Sequence, residues 1–527
     1  MVEKLFLKNS TYWLYAFLGL VLVCFYCSIA WLARGGDEWW YIDFVAGANV
    51  YWGDDAYRYF LARTAWLNPD IYWFNFILPL AAILDGCITT LAGGDFFFSR
   101  ALKSLPLVAS LFMVYGACVH LKVKRFWAAM ASISLATTPV YVFVALSFYG
   151  ESWLIFFVCL AFYLLASKKT LLGALVIGLM PLIRLESLGF VAGFAIMSAG
   201  SKAWRPMLIV FMPGIIYFFM ILLIGPGVST YLAWRFEIMN VYEAVEIWYG
   251  GELSRVFDVL YWPWVLAAFV GLLFKEARLL WSLCIGATII VLRVMYSMAL
   301  EIGSFEPRFL VAALPVMAVG LALLLQRLEV CQFNGWLTGL LRIISIGFIG
   351  LILFLNITSI HVFGELHQYV VDNGRLPASV KERPLTMGTY FKKADAEKVS
   401  GFQEYAEVAM QMIEKNPAID TLVVSGSNVL YFLDPERIGE NTRVVFALFG
   451  WATLDPVLDG AVTFGYFSSP PYASYYALEY PQDGKSLLLY LDDMKLDNYP
   501  YHWVVKGNNI YLFSATGMAT ATVKSGD

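Results

Sequence analysis

Apolar runs of about 20 residues recur through the first two thirds of the chain, with short polar stretches between them. Runs of this length predict membrane helices, which satisfy their own backbone hydrogen bonds. The first run lacks a small-residue cleavage site after it, so we expect a retained anchor. The predicted spans lie near residues 12–33, 105–121, 126–146, 153–166, 170–184, 187–200, 206–225, 259–274, 279–300, 308–326 and 343–360.

The charge density changes near His361. Residues 1–360 contain 43 charged side chains, whereas the 167 residues that follow contain 33. In this tail the pattern predicts an amphipathic helix within 391–415, strands at 420–425, 442–449, 461–467 and 486–491, and a hairpin within 503–513. We therefore predict a polytopic α-helical membrane domain over residues 1–360 and a soluble C-terminal α/β domain over residues 361–527.

Basic residues fall at alternate ends of the predicted spans, which places that side in the cytoplasm. The N-terminus is then cytoplasmic, and about eleven spans place the tail on the external side of the membrane. Counting the apolar stretch 71–93 as a span would place every later basic cluster on the external side of the membrane. We interpret it as a re-entrant or interfacial hairpin within a long first external loop, about residues 34–104, interrupted by Pro79 and Asp85.

Composition excludes other classes of protein. The chain is 60% apolar and only 14% charged, unlike ordinary soluble domains, and its net charge of -4 argues against a nucleic-acid partner. The seven cysteines and four histidines show no metal-ligand spacing. We expect a lipid bilayer around the chain, and neither a metal nor another cofactor.

Carboxylates collect on one predicted side: 17 of the 20 before His361 lie outside. Three short turns combine acids with aromatic or basic residues at the membrane edge. Ionisable groups at that depth are costly unless they face a cavity or a partner, so the turns predict a polar site, although helix capping and snorkelling would explain any single one. The residues are Tyr149 and Glu151, Arg184 and Glu186, and Glu306 and Arg308.

The densest group of charges lies in the first external loop, from Gly53 to Arg63. Asp54 or Asp55 suits the N-cap of a helix, which the following residues continue with an apolar stripe and a polar side that includes Arg58. A carboxylate here could take a proton from an acceptor hydroxyl, while cations stabilise the phosphate of a lipid-linked sugar. The alternative is that the acid pair is only a capping device.

These motifs resemble the GT-C superfamily of membrane glycosyltransferases, which use polyprenyl-phosphate-linked sugars. The resemblance covers about residues 1–360. It consists of D-D-A-Y-R-Y at Asp54–Tyr59, which includes Tyr57 and Arg58, followed by Arg100, Glu151, R-L-E at Arg184–Glu186 and E-P-R-F-L at Glu306–Leu310. Within the superfamily the chain looks most like bacterial arabinofuranosyltransferases, including the kind that glycosylates type IV pilins. The oligosaccharide-transferase signatures E-x-D and W-W-D are not found, so that branch's metal site is not carried over.

The resemblance implies an enzyme of the bacterial inner membrane, with its tail in the periplasm. This enzyme would move a sugar from a polyprenyl-phosphate donor to a periplasmic protein or glycan acceptor. Its catalytic base maps to Asp54 or Asp55, and we favour Asp55. The implied substrate-binding residues are Tyr57, Arg58, Arg100, Tyr149, Glu151, Arg184, Glu186, Glu306 and Arg308. A lipid or sugar transporter is the alternative, although neither an internal repeat nor paired broken spans is evident.

Overall fold

A computed structural model describes the chain in segments, and every structural statement below concerns these segments. They are residue 19 and residues 40–44, 53–64, 78–145, 147–225, 262–274, 281–299, 311–330, 335–358, 389–393, 406–407, 409–411, 413–415, 421–424, 432–438, 443–446, 476–479, 486–491, 501–506, 509–514 and 521–524. The predicted anchor at 12–33, apart from helical Gly19, and the predicted strand at 461–467 lie outside them.

Helices dominate the first two thirds of the chain. Among the described residues, three helices are long and apolar enough to cross a membrane: Phe98–His120, Trp204–Leu223 and Val311–Val330. The total number of spans stays a prediction. The helices are α1 (Gly53–Thr64), α2 (Pro79–Leu91), α3 (Phe96–His120), α4 (Arg125–Ala136), α5 (Pro139–Ala145), α6 (Glu151–Ala166), α7 (Thr170–Leu179), α8 (Leu188–Gly200), α9 (Trp204–Leu223), α10 (Trp262–Leu272), α11 (Trp281–Ala299), α12 (Leu314–Val330) and α13 (Gly335–Thr358), and the 3-10 turns Met180–Leu182 and Leu185–Ser187 connect α7 to α8.

Two predicted spans have different bounds in the structure. The span at 126–146 is divided into α4 and α5, because Pro139 lacks an N–H and disfavours helical backbone in the residue before it. The span at 105–121 begins earlier, at Phe96, because Asp95 caps the helix by accepting a 2.6 Å hydrogen bond from the Phe98 N–H. Arg100 therefore lies within α3 and not in the loop before it.

The segment predicted as a hairpin is helical in its second half. Pro79 occupies the start of α2, where a missing N–H costs nothing, and Asp85 lies in the middle of that helix. The prediction that Asp85 interrupts the segment is therefore wrong, whereas a break at Pro79 stays a prediction, because residues 71–77 lie outside the described residues. At 13 residues α2 is shorter than a span, and its orientation to a membrane stays a prediction.

Helices α10 and α12 cross at two glycines. A Cβ on Gly271 would overlap the carbonyl oxygen of Gly320, and a Cβ on Gly320 would overlap the carbonyl oxygen of Ala268. Small residues of this kind let two helix backbones approach closely, which is how helices in membranes gain packing without a hydrophobic driving force. α12 is buried along most of its length, with 11 of its 17 residues buried.

Strands lie near the start of the chain and in the tail. β1 (Trp40–Phe44) pairs antiparallel with β2 (Thr389–Lys393). The helix predicted within 391–415 is described from residue 406 onward. A second sheet has seven strands in the order β4-β3-β6-β5-β7-β8-β9. The domain boundary and the α/β class stay predictions. The strands of the second sheet are β3 (Thr421–Val424), β4 (Arg443–Phe446), β5 (Tyr476–Glu479), β6 (Ser486–Leu491), β7 (Tyr501–Lys506), β8 (Asn509–Ser514) and β9 (Ala521–Lys524), and the short helix α14 spans Pro435–Ile438.

Candidate functional site

A buried ion pair joins α2 to α3. The turn at residues 92–95 folds the two helices against each other, and Lys103 Nζ lies 2.8 Å from Asp85 Oδ1. The side chains are 1% and 3% exposed, respectively. Trp153 Nε1, from α6, donates a 2.7 Å hydrogen bond to the same carboxylate oxygen. Charges at this depth are tolerated only when they are paired and hydrogen-bonded, and here both conditions are met.

Lys103 also contacts the segment that leads into α6. Its Nζ lies 3.5 Å from the carbonyl oxygen of Tyr149, to which it donates, and 4.8 Å from the centroid of the Phe148 ring. Both residues are buried. One ammonium group thus connects Asp85 with the turn that positions Glu151 at the start of α6.

Glu151, Arg184 and Glu186 form a second group of charges. Arg184 Nη1 lies 3.1 Å from Glu151 Oε1, and its Nε donates to Glu186 Oε2 at 3.2 Å. The stem of Arg184 lies against Gly150, where an added Cβ would be 3.4 Å from Arg184 Cδ. Glu151 is buried in the first turn of α6, where the helix dipole also favours a carboxylate. The structure therefore brings the turn that contains Glu151 together with the R-L-E motif at Arg184–Glu186.

Aromatic rings connect α1 to this region. Tyr59 packs 5.0 Å from both the Phe96 and the Phe148 rings, and its hydroxyl donates to the carbonyl oxygen of Gly94. Burial raises the pKa of Tyr59 to about 12, so the phenol is a donor at neutral pH. The guanidinium of Arg100 lies 4.1 Å above Phe96, a cation–π contact.

Arg58 is buried, contrary to its predicted place on the polar side of α1. It lies close enough to Asp85 to interact with that carboxylate electrostatically. The helix begins at Gly53, so Asp54 and Asp55 lie in its first turn and the N-cap prediction is wrong. Carboxylates in a first turn are favoured by the helix dipole.

Four cations lie in this region together with carboxylates. Among the described residues there are four cations and three carboxylates, and Arg100 and Lys103 contact the aromatic rings of Phe96 and Phe148. Preorganised cations in a water-poor site stabilise an anion far more strongly than they would in water. The arrangement therefore suits a phosphate. The cations are Arg58, Arg100, Lys103 and Arg184, and the carboxylates are Asp85, Glu151 and Glu186.

The structure describes only part of the predicted site. The backbone of Asp54, Asp55 and Tyr57 belongs to α1, but their side chains lie outside the described residues, as do Glu306 and Arg308. Arg58, Arg100, Tyr149, Glu151, Arg184 and Glu186 are all described and lie on the elements that surround the Asp85–Lys103 pair. The roles assigned to the predicted residues stay predictions.

Sequence reasoning missed Lys103 and Trp153 and misinterpreted Asp85. A signal was present, since Asp85 is the single charge in one apolar segment, and the next segment, joined to it by a short connection, contains Arg100 and Lys103. A charge inside such a segment usually has a partner in a neighbouring one. Trp153 gave no signal, because nothing in an apolar run distinguishes an indole that donates a hydrogen bond from one that only packs.

The fold and the site define a helical protein whose apolar helices suit a membrane and enclose a buried charged region. No protein-family model and no curated protein matches the chain. Among solved structures, it is similar to ArnT from Cupriavidus metallidurans bound to undecaprenyl phosphate, with 11% identity, 83% of this chain and 86% of that chain covered, and a TM-score of 0.44. A likeness of this extent assigns neither a family nor an activity to this chain.

Proposed function

We propose that the protein is a GT-C type glycosyltransferase that uses a polyprenyl-phosphate-linked sugar. The observation that carries the proposal is the position of α1. This helix, which contains Asp54 and Asp55, packs on α2 beside buried cations, among them Arg58 and Arg100. A base on one side and positive charge on the other are what transfer from a lipid phosphate requires.

In the proposed reaction, Asp55 accepts the proton of an acceptor hydroxyl as its oxygen bonds to the anomeric carbon. The bond from that carbon to the phosphate oxygen breaks, and the electron pair leaves with the polyprenyl phosphate. Buried cations, among them Arg58, Arg100 and Arg184, stabilise the charge that develops on the leaving group. A nearby carboxylate stabilises the oxocarbenium-like carbon.

The finer assignment follows the resemblance of the sequence. We infer that the sugar is a pentofuranose such as D-arabinofuranose, and that the acceptor is a pilin or another glycoprotein on the periplasmic side of the inner membrane. The proposal includes a lipid donor and no metal.

A lipid or sugar carrier is the second candidate function. The Asp85–Lys103 pair favours it, because carriers also bury paired charges inside helical bundles. The two functions differ in their product. A transferase breaks the bond between sugar and phosphate, whereas a carrier releases its ligand intact on the other side of the membrane.

Transfer of labelled sugar from synthetic polyprenyl-phosphate donors by the purified, reconstituted protein tests the proposal. We expect Asp55→Asn, which keeps the shape but not the basicity, to lower the transfer rate by roughly 10²- to 10⁴-fold. Glu436→Gln, the same kind of change at an exposed site of α14, serves as the matched control and should transfer normally. A near wild-type rate for Asp55→Asn would refute its role as base, and vesicle transport of intact donor without transfer would favour the carrier.

A further inference from the structure

The tail attaches to the first external loop at two places. β2 pairs with β1, just before α1. At the other end of α1, Arg63 Nη1 donates to the carbonyl oxygen of Leu433 at 3.0 Å, and Nη2 lies 3.2 Å from Asp434 Oδ1. Some 370 residues separate the partners along the chain, so these contacts join two distant parts of the fold.

Arg63 also contacts residues of α1 and of the turn before α3. Its guanidinium lies 5.8 Å from the centroid of the Tyr59 ring. It also lies against Gly94, where a Cβ would be 3.2 Å from Nη2 and where the φ of +75° favours glycine. The Arg63 side chain is 18% exposed. One side chain therefore contacts α1, the turn before α3 and the tail.

The segment of the tail that Arg63 contacts is itself braced. Arg437 donates to both carboxylate oxygens of Glu407, at 2.6 and 3.0 Å, and to Glu414 at 2.7 Å. Leu433 and Met410 are buried beside these ion pairs. Arg63 thus contacts a segment of the tail that its own ion pairs and buried side chains stabilise.

We propose that Arg63 is a positioning residue, which ties the helix carrying Asp54 and Asp55 to the C-terminal tail and so sets the angle of that helix at the site. A helix of 12 residues is marginal on its own and depends on tertiary contacts for its position. Asp55 lies eight residues from Arg63, about 12 Å along the axis at the usual rise per residue. A tilt of about 5° at the Arg63 end would then move Asp55 by about 1 Å, a misplacement that can cost roughly 100-fold in rate.

This inference rests on the proposed function, so one of its two measurements is independent of transfer. Hydrogen exchange by mass spectrometry, on the full-length protein in micelles, reports the docking itself. We expect Arg63→Met to speed exchange in both residues 53–64 and residues 432–438, and Arg63→Lys to restore part of the protection. Lys124→Met serves as the matched control. Lys124, in the turn between α3 and α4, forms a 2.9 Å ion pair with Glu329 of α12, so this variant also removes one ion pair but leaves α1 and the tail unchanged. Unchanged exchange in residues 53–64 after Arg63→Met would overturn the inference.

The second measurement separates positioning from general stability. We expect Arg63→Met to lower kcat roughly ten- to hundredfold while the KM for the donor stays within about twofold. Asp434→Asn keeps the acceptor for the Glu436 N–H but weakens the ion pair, and it should have little further effect in an Arg63→Met background. Additive losses of kcat would contradict the shared role. If the wild-type protein transfers no sugar, the proposed function fails, while the exchange result still decides whether Arg63 holds the tail to α1.

Discussion

Replacing Lys103 with methionine tests whether the ion pair of Asp85 and Lys103 is excluded from water, as its burial indicates. The change removes an ammonium group that is 2.8 Å from Asp85 and 1% exposed. Asp85 must then stay charged in an apolar setting or take up a proton. Protonating an ordinary aspartate at pH 7 costs about 4 kcal/mol, because pH 7 is about three units above the reference pKa of aspartate. We therefore expect a loss of about 3–5 kcal/mol in the free energy of unfolding, in line with other broken buried pairs.

The double variant Lys103→Met with Asp85→Asn separates charge from packing. Asparagine keeps an acceptor for the Trp153 indole N–H, and no charge is left behind. We expect the double variant to be more stable than Lys103→Met alone, with a coupling energy of about 2 kcal/mol or more. A well-packed neutral replacement of a buried pair commonly restores stability, whereas the loss of one partner does not.

Unfolding by a denaturing detergent in mixed micelles, followed by tryptophan fluorescence, measures these differences. Lys124→Met is the control, because Lys124 is 52% exposed and Glu329, which is 11% exposed, keeps the hydrogen bond from the Trp127 indole N–H. We expect this partly exposed pair to contribute about 1 kcal/mol. If Lys103→Met cost no more than the control, or if the losses in the double variant were additive, the assignment of a desolvated, coupled pair would be refuted.

Two further predictions concern the helix crossing and the tail. Gly320→Ala should destabilise the protein by about 1–3 kcal/mol in the same detergent titration, because its Cβ would force α12 away from α10. Gly347→Ala on α13, where a Cβ meets nothing within 4 Å, should not destabilise it, and equal effects would contradict the crossing. In the tail, hydrogen bonds from Arg437 lower the pKa of Glu407. Because the folded-state pKa is the lower one, this stabilisation is complete above the unfolded value of about 4.3 and is lost as the pH falls through the folded value. It should amount to less than about 1 kcal/mol, since Glu407 is half-exposed. Melting curves from pH 7 down to pH 3 should show a loss of stability from this pair that is absent in Arg437→Leu. A loss of stability that is equal in Arg437→Leu would come from other groups.

Much of the local architecture follows from the chain itself. Apolar runs predict α3, α9 and α12, because a buried or lipid-facing helix needs an uninterrupted run at helical spacing. Gly53 and the two acids after it predict the start of α1 to within a residue or two, and the R-L-E motif already holds both Arg184 and one of its carboxylate partners. Each of these features depends on neighbours in sequence.

The tertiary structure alone decided which charges from distant parts of the sequence meet. Asp85 pairs with Lys103 on another helix, Trp153 reaches the same carboxylate from 68 residues away, and Arg63 meets the tail. Arg58, predicted to lie on the polar side of α1, is buried because α1 turns that side toward Asp85. Hydrophobic periodicity shows that a helix has a buried face, but it does not show which element covers that face. The low dielectric inside the bundle, which forces each buried charge to find a partner, exists only after the helices have packed.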